Sequence, residues 1–427
     1  MSSGCASRAT CCYSHYCKRS LSSRANEALL NYSSLRSFNE RRSGGGSSGL
    51  LFSLFRSTFI TSKRMKGGFS SLTRAAAAKE EDKDKDEEGG VTMKKNKNRR
   101  VVFSSDFHGN LNMLETFIHY SVNDLDGDYI ILGGDIGPRG ESAGDKETVE
   151  YHHGEMMKQK RWFQEQFCEL VEKYFPHRGE EEKQKRKRKL FIVLGNSDWQ
   201  VNEAVLKQKF SFPLENDSVK VCSGLGDVFV EDECVEFVFT ALVVASNHRK
   251  KDWERKDVDA ENVPEKNQRA GFISRYNEER EEYEVEKYAG VNDACTRPTI
   301  AKTLAALQPK MAPLENSSCL TKVWVNHGPP FDTIGDLTHR NERVGSKALR
   351  NFIAERMPDI TLHGHIHESV KEHGNEAFTS RIKNTLVASS GNDFMSDVCH
   401  GIFFETNDIA GTVSRFEVKV KESNSTY

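Results

Sequence analysis

Five short apolar runs each end in a cluster of Asp, Asn, His and Gly, and this pattern limits the possible folds more than any other feature of the chain. They read VVFSSDFHGN (101–110), YIILGGDIG (129–137), LFIVLGNSD (190–198), VWVNHGPP (323–330) and DITLHGHIH (359–367). β-Branched and aromatic residues at this density mark strands. Between the first two, LNMLETFIHY (111–120) has helical spacing, as does a longer stretch over 150–174, so the chain alternates strand and helix in the manner of an α/β fold. Ligands of an open α/β sheet lie beyond the carboxyl ends of its strands, so residues placed there converge although they are far apart in sequence. The candidates at those ends are Asp106, His108, Asp135, Asn196, His327, His365 and His367. Gly109, Gly133, Gly134, Gly195, Gly328 and Gly364 beside them let the backbone turn sharply and approach an ion or an anion.

Carboxylate and amide oxygens mixed with several imidazoles suit a pair of divalent cations such as Mn²⁺, Fe²⁺, Zn²⁺ or Co²⁺, whereas a magnesium site uses more oxygen and fewer histidines. Two such ions about 4 Å apart need a bridging carboxylate and a bridging water, which they convert to hydroxide at neutral pH while neutralising phosphoryl oxygens. Asp135 is the candidate bridge. No side-chain nucleophile is required.

The ordered set DFH, GD, GNSD, VNH and GHIH resembles the signature of the calcineurin-like metallophosphoesterase superfamily, over roughly residues 100 to 420. The resemblance implies a four-layer α/β/β/α sandwich with mixed sheets and a hydrolase for a small phosphoester. It also implies that Asp106, His108 and His367 hold one ion, Asn196, His327 and His365 hold the other, and Asp135 bridges them. KDWERKD (251–257), and HGPPFDTIGDLTHRNERVGSKAL followed by GHIHES, resemble more specifically a phosphodiesterase-like branch. One departure matters. Where many members read GNHD or GNHE, with a histidine that protonates the leaving group or binds phosphate, this chain has Ser197. A serine hydroxyl is a poor general acid at neutral pH, which moves the expectation towards a phosphodiesterase. A phosphomonoesterase or nucleotide pyrophosphatase is the runner-up, and a protein-binding scaffold on the same fold is the non-enzymatic alternative.

Other residues carry weaker readings. Asp198 is expected to support a ligand through a hydrogen bond. Asn196, Arg340 and Arg343 are candidates to bind substrate, the arginines by pairing with phosphate oxygens. His363 reads as packing behind the ligands. His119, His152, His153, His177 and His248 default to solvent or core, and Trp199 to core.

Composition sets the frame. Residues 1–78 hold 12 Lys and Arg, two acids and 18 serines, the pattern of an organellar transit peptide for plastid or mitochondrion; a cytoplasmic protein with a disordered tail is the alternative. Residues 79–98 read as a charged, disordered linker and 99–427 as the catalytic domain. That domain is acidic, 54 Asp and Glu against 43 Lys and Arg, so an extended nucleic-acid surface is not expected. No run is long and apolar enough to span a bilayer. Ten cysteines without CxxC spacing argue against a thiolate zinc site or a disulfide framework. Residues 247–318 are polar and read as an inserted cap, helical in places.

Overall fold

A computed structural model describes residues 97–140, 144–176, 188–211, 218–259, 263–291, 297–313, 320–374 and 377–421. The transit and linker readings lie almost wholly outside these residues, as do His177, Cys295 and Cys319.

In chain order the first half runs β1 (Arg100–Ser104), α1 (Leu111–Asn123), β2 (Tyr129–Gly133), α2 (Val149–Trp162), α3 (Cys168–Tyr174), β3 (Lys189–Val193), α4 (Val201–Ser211), β4 (Val219–Val221), β5 (Asp227–Glu231), β6 (Val235–Thr240), β7 (Val243–Val244) and β8 (Glu254–Arg255). The second half adds β9 (Gly271–Asn277), β10 (Glu282–Tyr288), α5 (Ile300–Leu307), β11 (Thr321–Asn326), α6 (Lys347–Arg356), β12 (Ile360–His363), α7 (Ser369–Glu372), β13 (Thr379–Ile382), β14 (Thr385–Ser389), β15 (Val398–Glu405), α8 (Ile409–Thr412) and β16 (Ser414–Lys419). The 150–174 stretch is helical as its spacing predicts, with a π-helical turn at Phe163–Phe167 joining α2 to α3. Asn110, which follows the first motif, caps α1 by accepting a hydrogen bond from the Met113 amide (3.0 Å).

Two six-stranded mixed sheets form the body, in the orders β16-β15-β1-β2-β3-β4 and β13-β14-β12-β11-β6-β5. β1 to β4 are mutually parallel, as are β6, β11, β12 and β14, and antiparallel strands close the edges. The sheets pack face to face through aromatic rings. Phe191 of β3 lies 4.9 Å from Phe237 and 5.2 Å from Phe239 of β6, and Tyr129 of β2 lies 5.1 Å from Phe237. Fully burying such rings contributes roughly 1.5–3 kcal/mol each, so this seam is a main source of stability. Helices cover the outer faces: α1 packs on β15 and β16, and α6 sets Phe352 5.3 Å from Trp324 of β11. This is the expected four-layer α/β/β/α arrangement.

The inserted segment is helical in places, as expected, at α5 and in short turns at Glu265–Asn267 and Gln308–Lys310, but it also carries paired strands. Its centre is a hairpin, β9 paired with β10, and its α-helix is the short α5. The hairpin is attached by a second small core in which Phe272 and Val285 meet Met156, Trp199 and Val201. Asp252, from the KDWERKD stretch, fastens it further by accepting from the Gln200 amide (2.8 Å), the Ser274 amide (2.8 Å) and the Ser274 hydroxyl (2.6 Å). Among the described cysteines, Cys168, Cys222, Cys234 and Cys399 are buried free thiols, with Cys168 and Cys399 pushed up to about 12 by burial. Among the described residues no helix is long and apolar enough to cross a membrane.

Candidate active site

The carboxyl ends of β1, β2 and β3 in one sheet and of β11 and β12 in the other meet at one edge of the sandwich. Backbone hydrogen bonds tie these ends together. The Asp106 amide donates to Gly134 O (2.9 Å), the His108 amide to Asp135 O (2.8 Å) and the Gly364 amide to His327 O (3.1 Å), while the His365 amide donates to Asp106 Oδ1 across the two sheets (3.1 Å). Four of the seven candidate ligands adopt left-handed backbone: Asp106 (φ 62°), His108 (46°), Asp135 (53°) and His365 (73°). For side chains other than glycine that conformation costs on the order of 1 kcal/mol or more each and persists where surrounding bonds over-determine it. The glycines permit close approach. A Cβ on Gly195 would stand 2.3 Å from both the amide and Oδ1 of Asp135, and one on Gly364 would stand 2.4 Å from Asp106 Oδ2.

The side chains gather in two trios around Asp135. In the first, His108 Nε2 and His367 Nε2 are 3.0 Å apart and Asp106 Oδ1 is 3.4 Å from His367 Nε2. In the second, Asn196 Oδ1 lies 3.0 Å from His327 Nε2 and 2.6 Å from His365 Nδ1. Asp135 presents Oδ2 to the first trio, 3.6 Å from His108 Nε2, and Oδ1 to the second, 3.3 Å from His327 Nε2. His327 Nδ1 faces Gly133 O at 2.9 Å, which turns Nε2 towards the cluster. Asp106, His108, Asp135 and His367 bring their donor atoms within 4.8 Å of one another, a set whose chemistry fits a divalent cation, and the second trio sets one amide oxygen beside two imidazoles.

The electrostatics keep the carboxylates charged and divide the four imidazoles into two that burial lowers, His108 and His365, and two that the aspartates raise, His327 and His367. Burial would raise the two aspartates, yet the neighbouring imidazoles outweigh it, holding Asp106 down at about 2 and Asp135 well below the carboxylate range. Burial pushes His108 and His365 down to about 3, which keeps their rings neutral as ligands must be. For His327, burial acts downward but Asp135 and Asp106 lift it to about 9.

Ser197, in place of the histidine, fastens Asp135: its amide donates to Oδ1 (2.7 Å) and its hydroxyl to Oδ2 (2.9 Å). Asp198 touches no candidate ligand's side chain. It accepts from the amides of Gly195 (2.9 Å), Ile136 (3.1 Å) and Gly137 (2.8 Å), locking the loop of Asp135 to the loop of Asn196. The fold does not bring Arg340 and Arg343 to the cluster. Arg343 donates to Asp336 Oδ1 and Thr333 O, each at 2.6 Å, and braces its own loop, while Arg340 is exposed. His363 is core, between Asn326 O (2.9 Å) and Thr361 Oγ1 (2.9 Å). Trp199 is fully buried.

Sequence reading missed three groups. The guanidinium that does enter the cluster belongs to Arg139, whose Nε donates to His108 Nδ1 (3.1 Å), whose Nη2 lies 2.7 Å from His108 Nε2, and whose Cζ lies 4.8 Å above the Phe394 ring. It follows Asp135 on the same loop, GGDIGPRG, so its nearness to the bridge was the available signal. His248 and Lys250, from the start of the inserted segment, line a cleft together with Arg139, Asn196 and Ser197. Nothing in their spacing announces this.

The sequence profile of calcineurin-like phosphoesterases matches residues 99–369. Among solved structures, similarity extends to a protein of Thermus thermophilus (12% identity, 76% of this chain and 99% of that one, TM-score 0.40). It extends also to a predicted phosphoesterase from Streptococcus pneumoniae (10%, 75% and 99%, 0.26) and to a phosphatase from Mycoplasma pneumoniae (10%, 77% and 96%, 0.31). No curated protein matches the chain. The profile covers all five strand ends that supply the cluster, and the chain therefore belongs to the calcineurin-like phosphoesterase family, whose members are metal-dependent hydrolases of phosphoester bonds.

Proposed function

We propose that this chain is a phosphodiesterase working with two divalent cations, one held by Asp106, His108 and His367 and the other by Asn196, His327 and His365. The observation that carries this is Asp135, which turns one carboxylate oxygen to each trio. When bound, the cations supply water activation at neutral pH and neutralisation of phosphoryl charge. The protein's own groups do the rest. Arg139, beside His108 and His367, binds a phosphoryl oxygen. Ser197 donates its hydroxyl proton to Asp135 and so orients the shared carboxylate; it has no ionisable group to protonate a leaving alkoxide, which favours esters whose alcohol leaves without a side-chain acid. Water adds across the P–O bond, one proton ending on the leaving oxygen. A bare scaffold has no use for seven convergent donors and four strained residues.

The test is turnover of bis(p-nitrophenyl) phosphate beside p-nitrophenyl phosphate by the full chain loaded with Mn²⁺ or Zn²⁺. Preference for the diester is expected. Preference for the monoester would make this a phosphomonoesterase, and turnover of neither by metal-loaded protein would leave the scaffold reading. The Arg- and Ser-rich residues 1–78 support an organellar destination, which a fluorescent fusion of residues 1–98 tests against diffuse cytoplasmic signal.

A further inference from the structure

The cleft beside the cluster is cationic, although the domain that carries it is acidic. Arg139, Lys146, Arg249, Lys250 and Arg269 line it together with Asn196 and Ser197, and Glu155 is the one carboxylate among its described lining residues. Over residues 99–427 the balance is the reverse, 54 acids to 43 basic residues. A local positive field against such a background concentrates anions at the cleft.

These charges run outward from the cluster and are held in place. Arg139 stands at the inner end, on His108. Next comes Lys250, whose Nζ donates to Ser197 O (2.7 Å) and lies 5.2 Å from the Trp199 ring centroid. Burial pushes this ammonium down, and the fields of Glu155, Asp198, Asp135 and Asp252 act against that push. At the outer end Arg249 donates to Lys146 O (3.1 Å) and pairs with Glu147, which Arg269 Nη2 also approaches at 3.2 Å. Glu147 is exposed, so its ion pairs are screened and weak, and a bidentate phosphate exchanges for them readily. The single charge of a scissile diester would be met by the cations that the candidate ligands would hold and by Arg139. Lys250, Arg249 and Arg269 exceed that need.

We infer that the substrate carries a second phosphate group, beyond the scissile diester, which Lys250, Arg249 and Arg269 bind. This rests on the hydrolase reading above and narrows its substrate class. In the reaction the water oxygen bonds to the scissile phosphorus, the P–O bond to the leaving group breaks and one water proton ends on the leaving oxygen; a remote second phosphate is unchanged, whereas one joined to the scissile phosphorus carries the leaving oxygen and departs as a phosphomonoester. That phosphate is either joined to the scissile one, as in a diphosphate diester, or carried on a remote carbon. The cleft volume of about 340 Å³ lies within the range of small-ligand sites and admits both.

The test uses the full, metal-loaded chain and three esters. The p-nitrophenyl ester of thymidine 5′-monophosphate has one phosphate, its 3′-phosphorylated analogue adds a remote one, and ADP-ribose carries the joined pair. At least one two-phosphate ester is expected to show kcat/KM roughly tenfold or more above the single-phosphate ester, and the R249Q/R269Q double variant is expected to lower that ratio by about tenfold. The ratio cancels any loss of folded enzyme. Equal efficiency on all esters, turnover of the single-phosphate ester alone, or a ratio indifferent to the double variant would overturn the second-phosphate proposal and leave the hydrolase reading standing. Turnover of none of them would overturn both.

Discussion

Asp106, His108, Asp135 and His365 hold left-handed backbone in loops locked by amide-to-carboxylate and inter-sheet hydrogen bonds, whereas Arg249 and Arg269 at the outer cleft lie on the inserted segment, both paired to one exposed glutamate. The floor of the site is thus over-determined by the fold, and its outer wall is attached by a small second core and a few polar ties. Chemistry that needs donor atoms at fixed positions sits on the rigid part. Under the proposed function, recognition of whatever the reacting phosphate is attached to falls to the more lightly attached wall.

Several substitutions sharpen or break this division. Among substitutions outside the seven candidate ligands, removing the guanidinium on the floor has the largest expected effect: Arg139→Ala should lower kcat/KM about 10- to 100-fold, the worth of a charge-assisted hydrogen bond, while Arg343→Ala should stay within roughly threefold because its partners are Asp336 and Thr333. If the two variants behave alike in steady-state kinetics, the placement of phosphate binding on the Asp135 loop is wrong. Asp198→Asn comes next. An amide group facing the Gly195, Ile136 and Gly137 amides leaves buried donors unpaired, so denaturant unfolding should show a loss of about 1–3 kcal/mol and calorimetry a metal affinity roughly 10-fold weaker. Wild-type metal affinity in this variant would show that the two loops do not need this brace. Val285→Ala probes the wall. It should cost about 1 kcal/mol, seen as faster proteolysis within the hairpin, with metal content intact; loss of metal would mean that wall and floor are one cooperative unit.

Legibility in the sequence follows the same division. Strand ends were readable because residue type changes abruptly there, from Val, Ile and Phe to Asp, His and Gly, and because parallel strands force those ends to one edge. The hairpin was not. Its second strand, EYEVEKY, is rich in charge, and the turn that joins it to GFISRYN takes its positive φ at Glu281 (55°) where glycine or asparagine is the usual signal. Phe272 and Val285 do point inward with period-two spacing, but against a core that tertiary structure alone supplies. Arg139 and Lys250 were missed for a related reason: a lone cation in a polar stretch resembles surface until its contacts are known.

Asp135 is proposed to join two cation sites into one hydrolytic centre. Metal content by elemental analysis, measured with phosphodiester turnover for the full chain and for Asp135→Asn, tests it most directly. Two divalent ions per chain and chelator-sensitive turnover are expected for the wild type, with at most one ion retained and turnover lower by about 10³-fold in a variant that still unfolds cooperatively. Two ions and wild-type turnover in Asp135→Asn would contradict it.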